Sequence, residues 1–215
     1  MQLDIVSDAI CPWCYIGKRQ LERALPVLAD ERLTFTIRWN PFQLNPDMPK
    51  QGMARAAYRA AKFGSAERSA DLDRRVTAAA ASVGLEFHLD RIERTSNTLN
   101  AHRLIWLAER QGKQNECVER LFQAYFIEGC DIGDAGVLAD CAASVGVEGA
   151  LAFLNSDTAV AEILHTDRMV REAGVNGVPS FFLNGYGLFS GAVPAEQMAE
   201  ALRRATAILR KREAA

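Results

Sequence analysis

The chain predicts an α/β fold whose two halves are separated by a helical insertion. Three observations lead there. A strand–helix–strand pattern occupies the first ~40 residues, and a strand–Asn-Gly–strand–helix pattern occupies the last ~40. Between them lies a long stretch rich in Ala, Leu, Glu and Arg with few strand signals.

The first strand is carried by Leu3, Ile5 and Val6. The turn Ser7-Asp8-Ala9-Ile10 leads into Cys11-Pro12-Trp13-Cys14, after which Ile16, Leu21, Ala24, Leu25 and Leu28 recur at helical spacing. Pro12 suits a first helical turn, where a missing N–H costs nothing, so Cys11 is expected at the N-terminus of a helix running to about Ala29. Asp8 is expected to cap that helix. Leu33 to Trp39 alternates apolar and polar residues and predicts the second strand.

Pro41, Pro46 and Pro49 then break regular structure. From about Met53 to Val170, Gly64, Gly84, Gly112, Gly129 and Gly146 punctuate a series of helices, the clearest at Asn97 to Gln111. Asp157 is expected to cap a helix reaching about Ala173. Val178 to Leu183 and Gly187 to Gly191 form strands around the hairpin signal Asn184-Gly185. Pro194 opens a last helix, whose end from Lys211 to Ala215 is expected to fray. The order of elements is that of a thioredoxin-like fold carrying an inserted all-helical domain. The expected boundaries are 1–50 and 157–215 for the thioredoxin-like part and 51–156 for the insertion.

Composition narrows the functions. Of 215 residues, 49% are hydrophobic and 24% charged, with a formal net charge of −2, as in an ordinary globular protein. That charge gives no general attraction to a phosphate backbone, so nucleic acid is not an expected partner. No apolar run approaches the ~20 residues of a bilayer span. If Met1 is the true start, the strand beginning there leaves no room for a secretory leader, and the protein is expected in the cytoplasm. Five cysteines, only two of them close in sequence, do not make a secreted disulfide scaffold.

The chemistry concentrates at Cys11 and Cys14. Only a thiolate attacks a disulfide, and a helix N-terminus favours the charged sulfur at Cys11 through its dipole and unpaired N–H groups. Cys14, one turn later on the same face, can resolve the mixed disulfide and release the substrate. Trp13 is expected as a partly exposed wall of the substrate groove. A zinc site would need two more ligands at suitable spacing. Cys117, Cys130 and Cys141 are scattered, and His88, His102 and His165 form no ligand pair, so no metal is expected. Cys117 and Cys141 are expected to pack in the core, and Cys130 to lie in a loop.

Five blocks together resemble the DsbA-type thioredoxin-fold family, and in particular its FrnE-like cytoplasmic branch. They are Ser7 to Lys18, Trp39 to Pro46, Asn97 to Leu104, Ala124 to Asp134, and Gly177 to Phe182. The resemblance implies a disulfide oxidoreductase or isomerase with its groove between the two parts. It also implies a cis Val178–Pro179 bond against the cysteine pair, with the Val178 backbone left free for a bound polypeptide. Asn97, Asn100 and His102 would line the groove on the helical side on this basis alone. Periplasmic members hold a histidine between their cysteines where Trp13 stands here. Without that imidazole the reduced form is less favoured, and a weaker oxidant is expected. Cys117 and Cys130 do not match the second close cysteine pair of some FrnE-like proteins.

The expected partners are protein disulfides or thiols, or glutathione as a co-substrate, with no cofactor beyond the dithiol. Two other functions stay open. One is a glutathione-dependent isomerase like 2-hydroxychromene-2-carboxylate isomerase, a group that typically has serine at the position of Cys11. The other is a holdase whose cysteines only sense oxidation. Physiological substrate, direction of exchange and oligomeric state are not encoded in residue order.

Overall fold

The structure, a computed structural model, describes residues 1–213. Strand β1 (Gln2–Ser7) runs into helix α1 (Pro12–Asp30), and β2 (Thr36–Pro41) returns parallel to β1, with Ile5 beside Trp39. Near the other end, β5 (Ser180–Leu183) and β6 (Tyr186–Ser190) form a hairpin, and α9 (Ala195–Glu213) follows. The strands make one mixed sheet in the order β2-β1-β5-β6, β5 lying antiparallel to both β1 and β6. The hairpin turns on Asn184 and Gly185, both at positive φ (47° and 83°), as the Asn-Gly pair predicts.

Between β2 and β5 lie β3 (Met53–Ala54), α2 (Arg55–Phe63), α3 (Ala66–Ser82), β4 (Arg94–Thr95), α4 (Leu99–Arg110), α5 (Gln114–Gln123), a π-helical turn (Ala124–Glu128), α6 (Ala135–Ser144), α7 (Ala150–Leu154) and α8 (Val160–Glu172). The insertion is therefore not all-helical. Met53 pairs with Thr95 and Ala54 with Arg94 in a two-residue ladder too short for any alternation to mark.

Several boundaries differ from expectation, β5 starting at Ser180 and α4 at Leu99 among them. The second strand begins at Thr36, because Arg32 turns the chain at φ 60° and the Leu33 N–H closes back on the Leu28 carbonyl (2.9 Å), spending residues 31–33 on the end of α1. The helix expected from Asp157 starts at Val160. Ala159 stands at φ 64°, and Asp157 accepts only a turn hydrogen bond from the Val160 N–H (3.2 Å). The last helix, expected to fray from Lys211, is described as helix past that residue. It continues to Glu213, with the Arg212 guanidinium over the Tyr186 ring (5.4 Å). Ala214 and Ala215 lie outside the described residues.

One apolar core runs through both parts. Leu3, Ile5, Leu21, Phe181, Leu183 and Leu202 fill the space between the sheet, α1 and α9, and the core continues through Tyr15 into Phe122, Phe126, Leu104 and Leu138. The Tyr15 and Phe122 rings stack at 4.8 Å. Polar groups fasten the same seam. Lys18, 2% exposed, pairs with Glu119 of α5 (2.8 Å) and with Glu22. Glu119 also accepts from Arg19 (2.9 Å) and from the Tyr15 hydroxyl (2.8 Å). At the edge of the sheet, the Trp39 N–H donates to Gln114 Oε1 (2.9 Å) and Gln114 Nε2 donates to the Trp39 carbonyl (3.0 Å). The Gln114 amide thus occupies backbone groups that an open edge strand would offer to another chain.

Candidate active site

Cys11 is the N-cap of α1, with extended backbone (φ −90°, ψ 111°), and Pro12 opens the helix. The N–H of Cys14 donates to the Cys11 carbonyl (3.0 Å), so the two cysteines occupy one turn. The Cys11 Sγ donates to the Val178 carbonyl at 3.6 Å, across 167 residues of chain. The Val178–Pro179 bond is cis. Gly17, one turn beyond Cys14, lies under Pro179, since a Cβ there would stand 3.1 Å from Pro179 Cγ. The fold thus brings Cys11, Cys14, Val178 and Pro179 to one place. Trp13, 44% exposed, stands beside them on the surface.

The two thiols have unequal surroundings. Cys14 has 0% exposure, and burial, together with the neighbouring Cys11, raises its thiol well above the ordinary range. Ser7 and the Asp8 backbone beside it pull the other way. Cys14 is therefore held protonated, while Cys11 stands at the helix terminus.

Asp8 does not cap α1. No side chain bonds the N-terminus of that helix; the Asp8 carbonyl, rather than its carboxylate, accepts from the Cys11 N–H (3.0 Å). The fully buried Asp8 carboxylate turns away and accepts from the Leu44 N–H (2.7 Å), and its other oxygen lies 3.3 Å from His102 Nε2. His102 is accordingly buried behind the cysteine loop. Asn97 donates to the Met48 carbonyl (2.7 Å) and accepts from the Leu99 N–H (3.0 Å), while Asn100 accepts from Arg103 (2.8 Å). The side-chain bonds of these two asparagines hold loop and helix together.

The other cysteines fall where expected. Cys117 and Cys141 are buried, and burial pushes their thiols up to about 12 and about 11. Cys130 is half-buried in a loop, and burial and the neighbouring Glu128 raise it. Among the described residues no group of three or more His, Cys, Asp or Glu side chains is placed to hold a metal ion, and no helix is long and apolar enough to cross a membrane.

Residues 2–203 match the model of the DSBA-like thioredoxin domain. The chain belongs to that family. Among solved structures it is similar to a "probable DsbA oxidoreductase" from Streptomyces coelicolor, at 29% identity and a TM-score of 0.86, covering 96% of this chain and 90% of the other. It shares its fold with the cytosolic disulfide reductase DsbM from Pseudomonas aeruginosa, solved with GSH (20% identity, TM-score 0.66, 98% and 100% covered). It also shares it with a 2-hydroxychromene-2-carboxylate isomerase (18% identity, TM-score 0.69, 100% and 98% covered). This family fold thus hosts more than one chemistry, and the residues of the site have to decide between them.

The packing of Gly17 on Pro179 supplies a test. Gly17→Val forces at least one of the two to move, at about 1–3 kcal/mol of overpacking. Disulfide-exchange turnover should fall at least as steeply as stability, because the displaced proline lies beside Cys11. Thermal unfolding and turnover measured on the same preparation check this.

Proposed function

We propose that this protein is a thiol–disulfide oxidoreductase in which Cys11 attacks a substrate disulfide and Cys14 resolves the adduct. The observation that carries this reading is the asymmetric pair at one helix terminus. Cys11 caps α1 against the Val178 carbonyl, and a fully buried Cys14 lies one turn behind it. Family membership and the likeness to the Streptomyces coelicolor protein support it. The dithiol itself carries the two electrons. Trp13 and the Val178–Pro179 segment form the wall against which a polypeptide or small thiol lies. Glutathione is a fitting co-substrate, supported by the DsbM likeness, as is a cytoplasmic location. Residues 51–156 act as an inserted unit within a domain formed by 1–50 and 157–215, a division supported by all four strands of the main sheet lying outside the insertion. Neither nucleic acid nor a membrane is invoked as a partner.

A glutathione-dependent isomerase is the second reading, favoured by the shared fold of the 2-hydroxychromene-2-carboxylate isomerase. Such a reaction moves no electrons between thiols and needs no resolving Cys14. Insulin with dithiothreitol separates the two readings. The oxidoreductase accelerates reductive precipitation and loses this on Cys11→Ser; an isomerase or an oxidation-sensing holdase gives no acceleration that depends on Cys11.

A further inference from the structure

The redox chemistry leaves one concavity of the molecule unused. It lies beside β2, where residues 38–41 face α4 and α8, and it has room for about 290 Å³, at the small end of ligand cavities. None of Cys11, Trp13, Val178 and Pro179 lines it.

Trp106 gives the first sign of a ligand. Its ring stacks on Phe153 (5.8 Å) and carries the Arg110 guanidinium on its other side, 3.1 Å from the ring centre, so it is a fixed part of the wall. Its Nε1–H is buried and meets no acceptor. An indole nitrogen can only donate, and a buried donor left unmet costs about 1–3 kcal/mol. An acceptor placed inside the cavity recovers that cost.

Charge gives the second sign. On the strand wall, Arg38 donates through Nε to Asp4 Oδ1 (2.6 Å), and among the described residues its two terminal nitrogens hold no carboxylate. The open end of that planar fork matches the two oxygens of a carboxylate. The helix wall has the opposite sign. Glu109 of α4 and Glu162 of α8 share one cation among the described residues, Arg110, at 4.0 Å and 3.4 Å. Two carboxylates against one guanidinium leave a negative charge over. Ile105 and Ile163 add apolar surface between the two.

We propose that this cavity binds a small zwitterion of the free amino-acid class. Its carboxylate lies between Arg38 and the Trp106 Nε1–H, its ammonium against Glu109 and Glu162, and its side chain over Ile105 and Ile163. A simple anion would meet the two glutamates, and a simple cation would meet Arg38. A molecule carrying both charges satisfies both walls. The site needs neither thiol, so it stands independently of the oxidoreductase reading.

Saturation-transfer NMR of the full chain with an equimolar mixture of amino acids picks out the binder, and calorimetry gives its Kd. Cysteine is left out of the mixture so that exchange with Cys11 does not contribute. At least one amino acid should bind with a Kd below ~1 mM, and its N-acetyl and carboxamide derivatives should each bind about 10-fold more weakly or worse. Trp106→Phe keeps the ring on Phe153 and removes only the donor, and Arg38→Gln changes an exposed side chain. Each should weaken binding by about 10-fold. An unchanged Tm shows that a variant is folded, and if Trp106→Phe does not fold, Arg38→Gln alone decides. The proposal is overturned if no amino acid binds below ~1 mM, if either derivative binds as tightly as its parent, or if a folded variant keeps the full affinity.

Discussion

Cys14→Ser is expected to stop turnover while leaving attack by Cys11 intact, so that the protein accumulates as a covalent adduct with its disulfide substrate. The expectation follows from the unequal surroundings of the two sulfurs. Cys11 stands at the helix terminus facing the Val178 carbonyl, where an incoming disulfide is met. Cys14 is fully buried and held protonated, so substrate reaches it only through Cys11. Removing the resolving sulfur leaves the mixed disulfide with no internal nucleophile, and steady-state reduction should fall on the order of 100-fold or more. Cys11→Ser should lose turnover equally and form no adduct. Intact-mass analysis after incubation with oxidised glutathione distinguishes the variants. A single glutathione on Cys14→Ser that reducing agent removes, and none on Cys11→Ser, is the expected pattern. An adduct on Cys11→Ser through Cys14 would reverse the assignment of roles.

Glu119→Gln should destabilise the fold by about 3 kcal/mol at neutral pH, with the loss disappearing in acid. Burial alone would raise this carboxyl. Hydrogen bonds from Arg19 and Lys18 and the Lys18 charge override it and hold the carboxyl at about 2, against ~4.3 in an unfolded chain. Because the folded value is the lower one, the stabilisation is fully present above the unfolded value. It is lost as pH falls through the interval down to about 2. A shift of roughly two units corresponds to about 3 kcal/mol, or roughly 6–12 °C in Tm for a chain of this size. The variant also leaves Lys18, 2% exposed, with Glu22 as its remaining ion-pair partner. Urea unfolding of both proteins at pH 7 and in strong acid checks the sign. A difference that stays constant across that range would show that the cost comes from packing rather than from the charge.

The parts of the molecule visible in residue order are those whose signals are local. Alternation around Leu3 and Ile5, helical spacing after Pro12, and Asn184-Gly185 locate the sheet, α1 and the hairpin. Each of these patterns is set by neighbours within a few residues. For the same reason Cys-Pro-Trp-Cys marks the two sulfurs that the structure places in the first turn of α1. What escaped depends on distant partners. Asp8 has the composition of a cap, yet Leu44 and His102 claim its carboxylate, and neither is near it in the chain. Glu119 belongs to an unremarkable amphipathic helix until α1 delivers Lys18 and Arg19 to it. The β3–β4 ladder joins residues about 40 apart through two pairs and leaves no periodic trace.

Equilibrating the protein across a series of glutathione redox buffers, quenching by alkylation and mapping the cysteines by mass tests the central claim most directly. The account predicts that Cys11 and Cys14 oxidise together as one two-electron couple, forming a disulfide with each other, while Cys117 and Cys141 stay reduced. A midpoint near ~−270 mV would suit a reductase and one near ~−180 mV an isomerase. If no Cys11–Cys14 disulfide forms anywhere in the series, the account is contradicted at its root.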